Sequence, residues 1–236
     1  MDIRRAKERG HTQIDWLDSR HTFSFGDYHD PRFMGWRVLR VLNDDRVAPG
    51  GGFPTHAHRD MEIISVVLEG GLRHRDSLGT GSTIVPGDVQ LMTAGTGVRH
   101  SEANASNELP VHFLQIWIVP EKAGLPPGYQ QKSFPTADRR GRFRLVASPD
   151  GRDGSLLLHQ QVSLSIAVVG PTETAAYDLA PGRFAYLHVA RGAARFQEHT
   201  LAEGDGVALP SGAGALAVWG IESGSGDAEI LLFDLP

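Results

Sequence analysis

No stretch of this 236-residue chain keeps a sustained helical period. Its apolar residues come in short runs instead, at 63–68, 113–119, 163–169 and 230–233 among others. Each run is rich in β-branched or aromatic residues and bounded by Gly, Pro, Asn or Asp. Such runs read as strands, because branched side chains suit a pleated surface and the flanking residues turn the chain. The 28 glycines and 14 prolines punctuate many of them. Many short strands pack as a barrel or sandwich, so the expected fold class is all-β.

A weak internal repeat narrows this further. Gly70 is followed by Gly87-Asp88, an apolar run and Gly95; the second half has Gly192, then Gly204-Asp205, an apolar run and Gly212. Two copies in register point to a duplication: two antiparallel β-barrels of jelly-roll type in one chain. The first is expected over residues 1–125 and the second over 140–236. Between Val119 and Phe143 cluster Pro120, Gly124, Pro126, Pro127, Gly128 and Pro135, which predicts a connection rather than a strand.

Composition removes several functions. Lys and Arg number 23 against 28 Asp and Glu, a net charge of −5, and no basic cluster stands out, so nucleic acid is not an expected partner. The apolar runs fall far short of the roughly 20 residues that span a bilayer, so no membrane association is expected. The charged start, Met1 to Lys7, is no signal peptide. Without cysteine there are no disulfides or thiolate sites, and a cytoplasmic location is expected. No Gly-x-Ser-x-Gly elbow exists, and glycines 50–52 precede neither Lys-Ser/Thr nor a helix start. Asn104-Ala105-Ser106 has sequon form, of no use to a chain that is not secreted.

The histidines ask for a functional account: eight of the eleven lie between 11 and 112. His56-Ala57-His58 follows a glycine loop, and His100-Ser101-Glu102 follows Gly95-Thr96-Gly97. On a strand, residues i and i+2 share a face. Two strands presenting such pairs into a barrel offer three nitrogens and one carboxylate oxygen. That set suits Fe(II), Mn, Ni, Co, Cu or Zn rather than Ca or Mg. The repeat places Asp178, Ala180, Ala217 and Trp219 at the corresponding positions of the second half. One metal ion, in the first barrel, is the expectation.

Gly50-x5-His56-x-His58-x3-Glu62 resembles the first cupin motif, and Gly97-x2-His100-x3-Asn104 the second. The chain is similar, more closely, to pirin-type bicupins, especially bacterial ones with quercetin 2,3-dioxygenase activity. The similarity rests on residues 21–26, 39–45, 56–62, 74–77 and 87–97; from 140 onward it is architectural only. Pirins often carry His-Pro-His where this chain has His56-Ala57-His58, a change that leaves both imidazoles in place.

The resemblance implies one divalent transition metal ion held by His56, His58, His100 and Glu102, with Fe(II) favoured and Ni, Co, Mn, Cu or Zn as alternatives. It implies O2 and a planar flavonol as partners, ring opening with release of carbon monoxide, and Glu102 as the catalytic carboxylate that takes the substrate proton. A monomer is favoured over an oligomer. The alternative is a metal-holding regulatory protein that binds a transcription-related partner without turnover, as eukaryotic pirins are described.

Two glutamates compete as ligand. Glu62 lies four residues past His58, roughly 13 Å along a strand, whereas Glu102 lies two residues past His100, roughly 7 Å away. Metal–ligand bonds of about 2 Å favour Glu102, with Glu62 beside the ligands or at the core edge. His74 and Asp76 share a face, either orienting a ligand imidazole or forming a surface pair. His21, Phe23, Phe25 and Tyr28 fit the pocket mouth, although aromatics at alternating positions more often belong to the core.

Overall fold

The short runs are strands. The computed structural model describes residues 1–222 and 226–236. Among these, helical turns are limited to Ala6–Glu8, Thr136–Arg139 and Arg152–Gly154. The chain divides into two compact units, one of residues 10–133 and 158–160, the other of 1–9, 134–157 and 161–236.

In the first unit a seven-stranded antiparallel sheet runs, in spatial order, Gly128–Ser133, Asp88–Thr93, Glu62–Glu69, Val111–Ile118, Leu39–Val47, Leu17–His21, Gly10–Ile14. A four-stranded sheet runs Gly52–His58, Val98–Asn104, Leu72–Asp76, Gly81–Ile84. Side chains from both meet in a core of Val47, Val67, Leu72, Ile84, Val111 and Phe113. Burying each large side chain contributes about 2 kcal/mol.

The second unit repeats this plan. Its seven-stranded sheet runs Asp2–Arg4, Gly206–Leu209, Phe184–Arg191, Ala228–Leu235, Ser163–Val169, Arg144–Ser148, Leu156–Leu157, with only the last pair parallel. The four-stranded sheet runs Thr174–Asp178, Ala215–Gly220, Ala193–Phe196, His199–Ala202. The all-β fold of two antiparallel barrels is therefore present.

The repeat glycines have a common cause. Gly70 sits at φ +75°, where a Cβ would stand 2.6 Å from the Pro110 carbonyl oxygen. Gly192 sits at φ +69°, where it would stand 2.8 Å from that of Asp227. Both hairpins need a residue that tolerates positive φ and close backbone approach.

Two local features differ from expectation. Gly128–Ser133, inside the Pro/Gly-rich stretch read as a connection, is a strand: it pairs along the edge of Asp88–Thr93, a long-range partnership that its composition does not announce. Asp2–Arg4 pairs with Gly206–Leu209, so the first nine residues complete the C-terminal unit.

Candidate metal centre

His56 and His58 lie on Gly52–His58, and His100 and Glu102 on its neighbour Val98–Asn104. Antiparallel pairing sets Val98 opposite His58 and His100 opposite His56, so alternation turns the three imidazoles to one face. Their ring centroids stand 4.5, 4.7 and 4.8 Å apart, and one nitrogen from each lies within 4.8 Å of the others. The register shifts after His100, pairing Glu102 with Phe53.

The tautomer of His56 follows from its neighbours. Its Nδ1 stands 2.8 Å from the Pro54 carbonyl, which can only accept, so Nδ1 carries the proton and Nε2 the lone pair. That Nε2 stands 3.0 Å from Nε2 of His100. Two donor atoms make an edge of this length when each is about 2.1 Å from a shared ion at near right angles.

Burial, then the neighbouring charge of His56, lowers the pKa of His58 to about 4. Burial and the charges of His56, His58 and His74 lower that of His100 to about 2. Crowded imidazoles resist protonation and stay in the neutral form that binds metal.

Glu102 is buried. Ser65 Oγ donates to its Oε1 at 3.3 Å and Gln115 Nε2 to its Oε2 at 2.6 Å. Burial nevertheless outweighs these bonds and pushes the carboxyl up to about 7. The structure groups Glu102 with His100 and His74, one ligand atom of each within 4.8 Å, so two triads share His100. Neutral imidazoles converging beside a buried carboxylate fit a divalent transition metal ion. Their nitrogen-rich donor set does not suit Ca or Mg.

Ser65 and Gln115 belong to a polar row across the inner face of the large sheet. Strand pairing sets Gln90 beside Ser65, Ser65 beside Gln115, Gln115 beside Asn43 and Asn43 beside His21. All five are buried. His21 Nδ1 donates to Asn43 Oδ1 at 2.9 Å, and its Nε2 accepts from Thr12 Oγ1 at 2.9 Å. A cavity of about 190 Å³ adjoins this row, lined by His56, His58, Glu102, Gln115, His21 and Trp117, with Phe25 and Phe53 adding aromatic wall. Trp117 packs edge-on against His58 at 4.9 Å and against Phe25 at 5.3 Å. Phe23 lies in the core instead.

Glu62 sits apart from both triads. Asp60, at φ +49°, breaks the strand after His58, so alternation does not run on to Glu62, which opens the next strand. Its Oε2 accepts from Thr93 Oγ1 at 3.1 Å and from the His159 N–H at 3.2 Å, and burial raises its pKa. His74 and Asp76 are not a surface pair: both side chains are fully buried and joined at 3.0 Å.

Ser65, Gln115, Trp117 and His159 escape a motif-based reading, and Asn43 lies in the similar stretch 39–45 without a role attached to it there. A signal exists for two of them, since Ser65 and Gln115 each interrupt an apolar run. In the second unit the corresponding strands pair Ala215 with Asp178 and Ala217 with Ala176. The residues of those strands that face the core are Ala175 and Tyr177, paired with Val218 and Leu216. Asp178, Ala217 and Trp219, which the glycine repeat sets opposite the ligands, lie on the other face, with Arg195 over the Trp219 ring. Among the described residues, no cluster of three metal-binding groups lies in that unit.

The family model described as Pirin matches residues 2–118, and that described as Quercetinase C-terminal cupin domain matches 145–235. A protein of Escherichia coli named quercetin 2,3-dioxygenase is 43% identical over 99% of this chain and 98% of its own length. The crystal structure of the E. coli bacterial pirin YhhW in complex with nickel(II) superposes with a TM-score of 0.92 at 43% identity, covering 100% of this chain and 98% of that one. A quercetin 2,3-dioxygenase structure from Acinetobacter baumannii, 19% identical, shares the fold with a TM-score of 0.74, over 99% of this chain and 85% of that one. From both halves of its sequence and from its fold, the chain belongs to the pirin family of bicupins.

Proposed function

We propose that this pirin is a dioxygenase that opens the heterocycle of flavonols such as quercetin. It would use one divalent transition metal ion, Fe(II) first among the candidates, held by His56, His58, His100 and Glu102. The observation that carries the reading is the position of His56, His58 and Glu102 on the wall of an aromatic-lined cavity. A bound divalent ion supplies Lewis acidity that makes a substrate hydroxyl easier to deprotonate. Glu102 takes the flavonol 3-hydroxyl proton, as a carboxylate facing the cavity beside the imidazoles. Phe25, Phe53 and Trp117 give a planar ring system apolar faces to lie against. Both atoms of O2 enter the ring-opened ester, and one ring carbon leaves as carbon monoxide.

The same reading makes the protein a cytoplasmic monomer; no helix among the described residues is long and apolar enough to cross a membrane. Aerobic incubation of the metal-loaded protein with quercetin tests it, following the loss of flavonol absorption and the release of carbon monoxide. A metal-replete protein that leaves quercetin and its analogues intact while binding a protein partner tightly is a regulator instead.

A further inference from the structure

His74 lies on Leu72–Asp76, directly opposite Glu102 in the sheet. Its Nε2 stands 3.0 Å from Asp76 Oδ2, while Asp76 Oδ1 accepts the N–H groups of Leu78 and Thr80 at 2.9 and 3.0 Å. A carboxylate so engaged only accepts, which puts the His74 proton on Nε2 and a lone pair on Nδ1. That Nδ1 is buried without a hydrogen-bond partner. His100 repeats the situation. His56 has given its one ring proton to Pro54, so across the 3.0 Å contact His100 Nε2 is the donor. The lone pair of His100 is therefore on Nδ1, which is also buried and unpartnered. Leaving a buried acceptor unpaired is costly, because it loses its hydrogen bond to water and gains none in return. Two such nitrogens occur in side chains that cluster with the buried Glu102 carboxyl, one ligand atom of each within 4.8 Å.

We infer that His74, His100 and Glu102 form an interior station for a divalent transition metal ion, an alternative to the site with His56 and His58, with which it shares His100 and Glu102. Two imidazoles and one carboxylate, with coordination positions left open, are a donor set that suits Fe(II). Asp76 behind His74 fixes the ring's tautomer and strengthens it as a donor, as carboxylates do behind metal-binding histidines. A neutral imidazole has one lone pair, so His100 serves the outer cluster through Nε2 or the inner station through Nδ1. One ion per chain follows in either case. The inference is independent of flavonol turnover.

Co(II) added to metal-free protein provides the test, read by visible absorption and equilibrium dialysis. The His56→Ala/His58→Ala variant is expected to keep one Co(II) per chain with an altered spectrum. Adding His74→Ala is expected to raise Kd at least tenfold. A double variant that takes up no Co(II), or a triple variant that binds as the double does, overturns the station. Should circular dichroism show the triple variant unfolded, Asp76→Asn in the double background reads the same point. There Kd should rise about 10–100-fold, and an unchanged Kd overturns the inference. Loss or retention of activity on quercetin bears on none of these outcomes.

Discussion

Gln115 Nε2 donates to Glu102 Oε2 at 2.6 Å, joining the large sheet of the first barrel to the small one. This bond, with that from Ser65, is what holds the carboxyl below the value that burial alone would set. Gln115→Leu removes it and leaves Glu102 freer and harder to ionise. Metal affinity is expected to fall about 10–100-fold, measured by titrating metal into the chelator-treated protein. An unchanged affinity would show that Gln115 does not position the carboxylate.

The pH dependence of the metal-free protein has opposing parts. Glu102 sits at about 7 against an ordinary 4.5, so its stabilisation is fully present below 4.5 and lost as pH rises through 7. At alkaline pH the loss is roughly 3 kcal/mol. His58 and His100, lowered to about 4 and about 2 from 6.5, act the other way: their stabilisation is present above 6.5 and lost as pH falls through those values. Comparing wild type with Glu102→Gln isolates the first part. Between about pH 5 and about pH 8, in chelator, Tm of the wild type should fall relative to the variant. A gap that stays constant with pH would assign the difference to something other than ionisation.

The two buried glutamates should separate by metal content. Glu102→Gln is expected to lose most of its bound metal, whereas Glu62→Gln, whose partners are Thr93 and His159, is expected to retain it. Elemental analysis of both variants decides the matter, and the reverse pattern would make Glu62 the ligand.

Stoichiometry provides another check. On the corresponding strands of the second barrel the core-facing residues are Ala175, Tyr177, Leu216 and Val218, with no histidine or carboxylate among them. About one firmly bound metal per chain is expected, and chelation should abolish flavonol cleavage. Two tightly held ions per chain would mean that the C-terminal unit binds metal through other groups.

Asn104 is structural. Its Nδ2 reaches the carbonyls of Val47, Ala48 and Leu109 at 3.0, 3.1 and 2.8 Å, and its Oδ1 accepts from the Ser106 N–H at 2.9 Å. Asn104→Ala strands these carbonyls and should destabilise by about 2–3 kcal/mol, read as a lower urea midpoint. Its burial also keeps the sequon's amide out of reach of any modifying enzyme.

The strands, the duplication and the two paired motifs were legible because they depend on local rules. Alternation along a strand puts His56 with His58, and His100 with Glu102, whatever surrounds them. The ligand-poor character of the second half was legible too, although the glycine repeat points to Asp178, Ala217 and Trp219, which face away from the core, and to Ala180, which lies past the strand. Leu216 and Val218 face the core instead, and linear alignment of glycines cannot reveal which face of a strand a residue takes.

Local sequence by itself determined the all-β class, the two barrels and the histidine motifs, since period-2 patterning and turn chemistry act over a few residues. Tertiary structure alone decided that Gly128–Ser133 is an edge strand, that Asp2–Arg4 joins the far end of the chain, and that His74 and Asp76 are buried. It also decided which polar groups hold Glu102 and where the lone pairs of His74 and His100 are left. Those outcomes depend on contacts between residues tens to hundreds of positions apart. Strand pairing and burial set such contacts, and no local pattern encodes them.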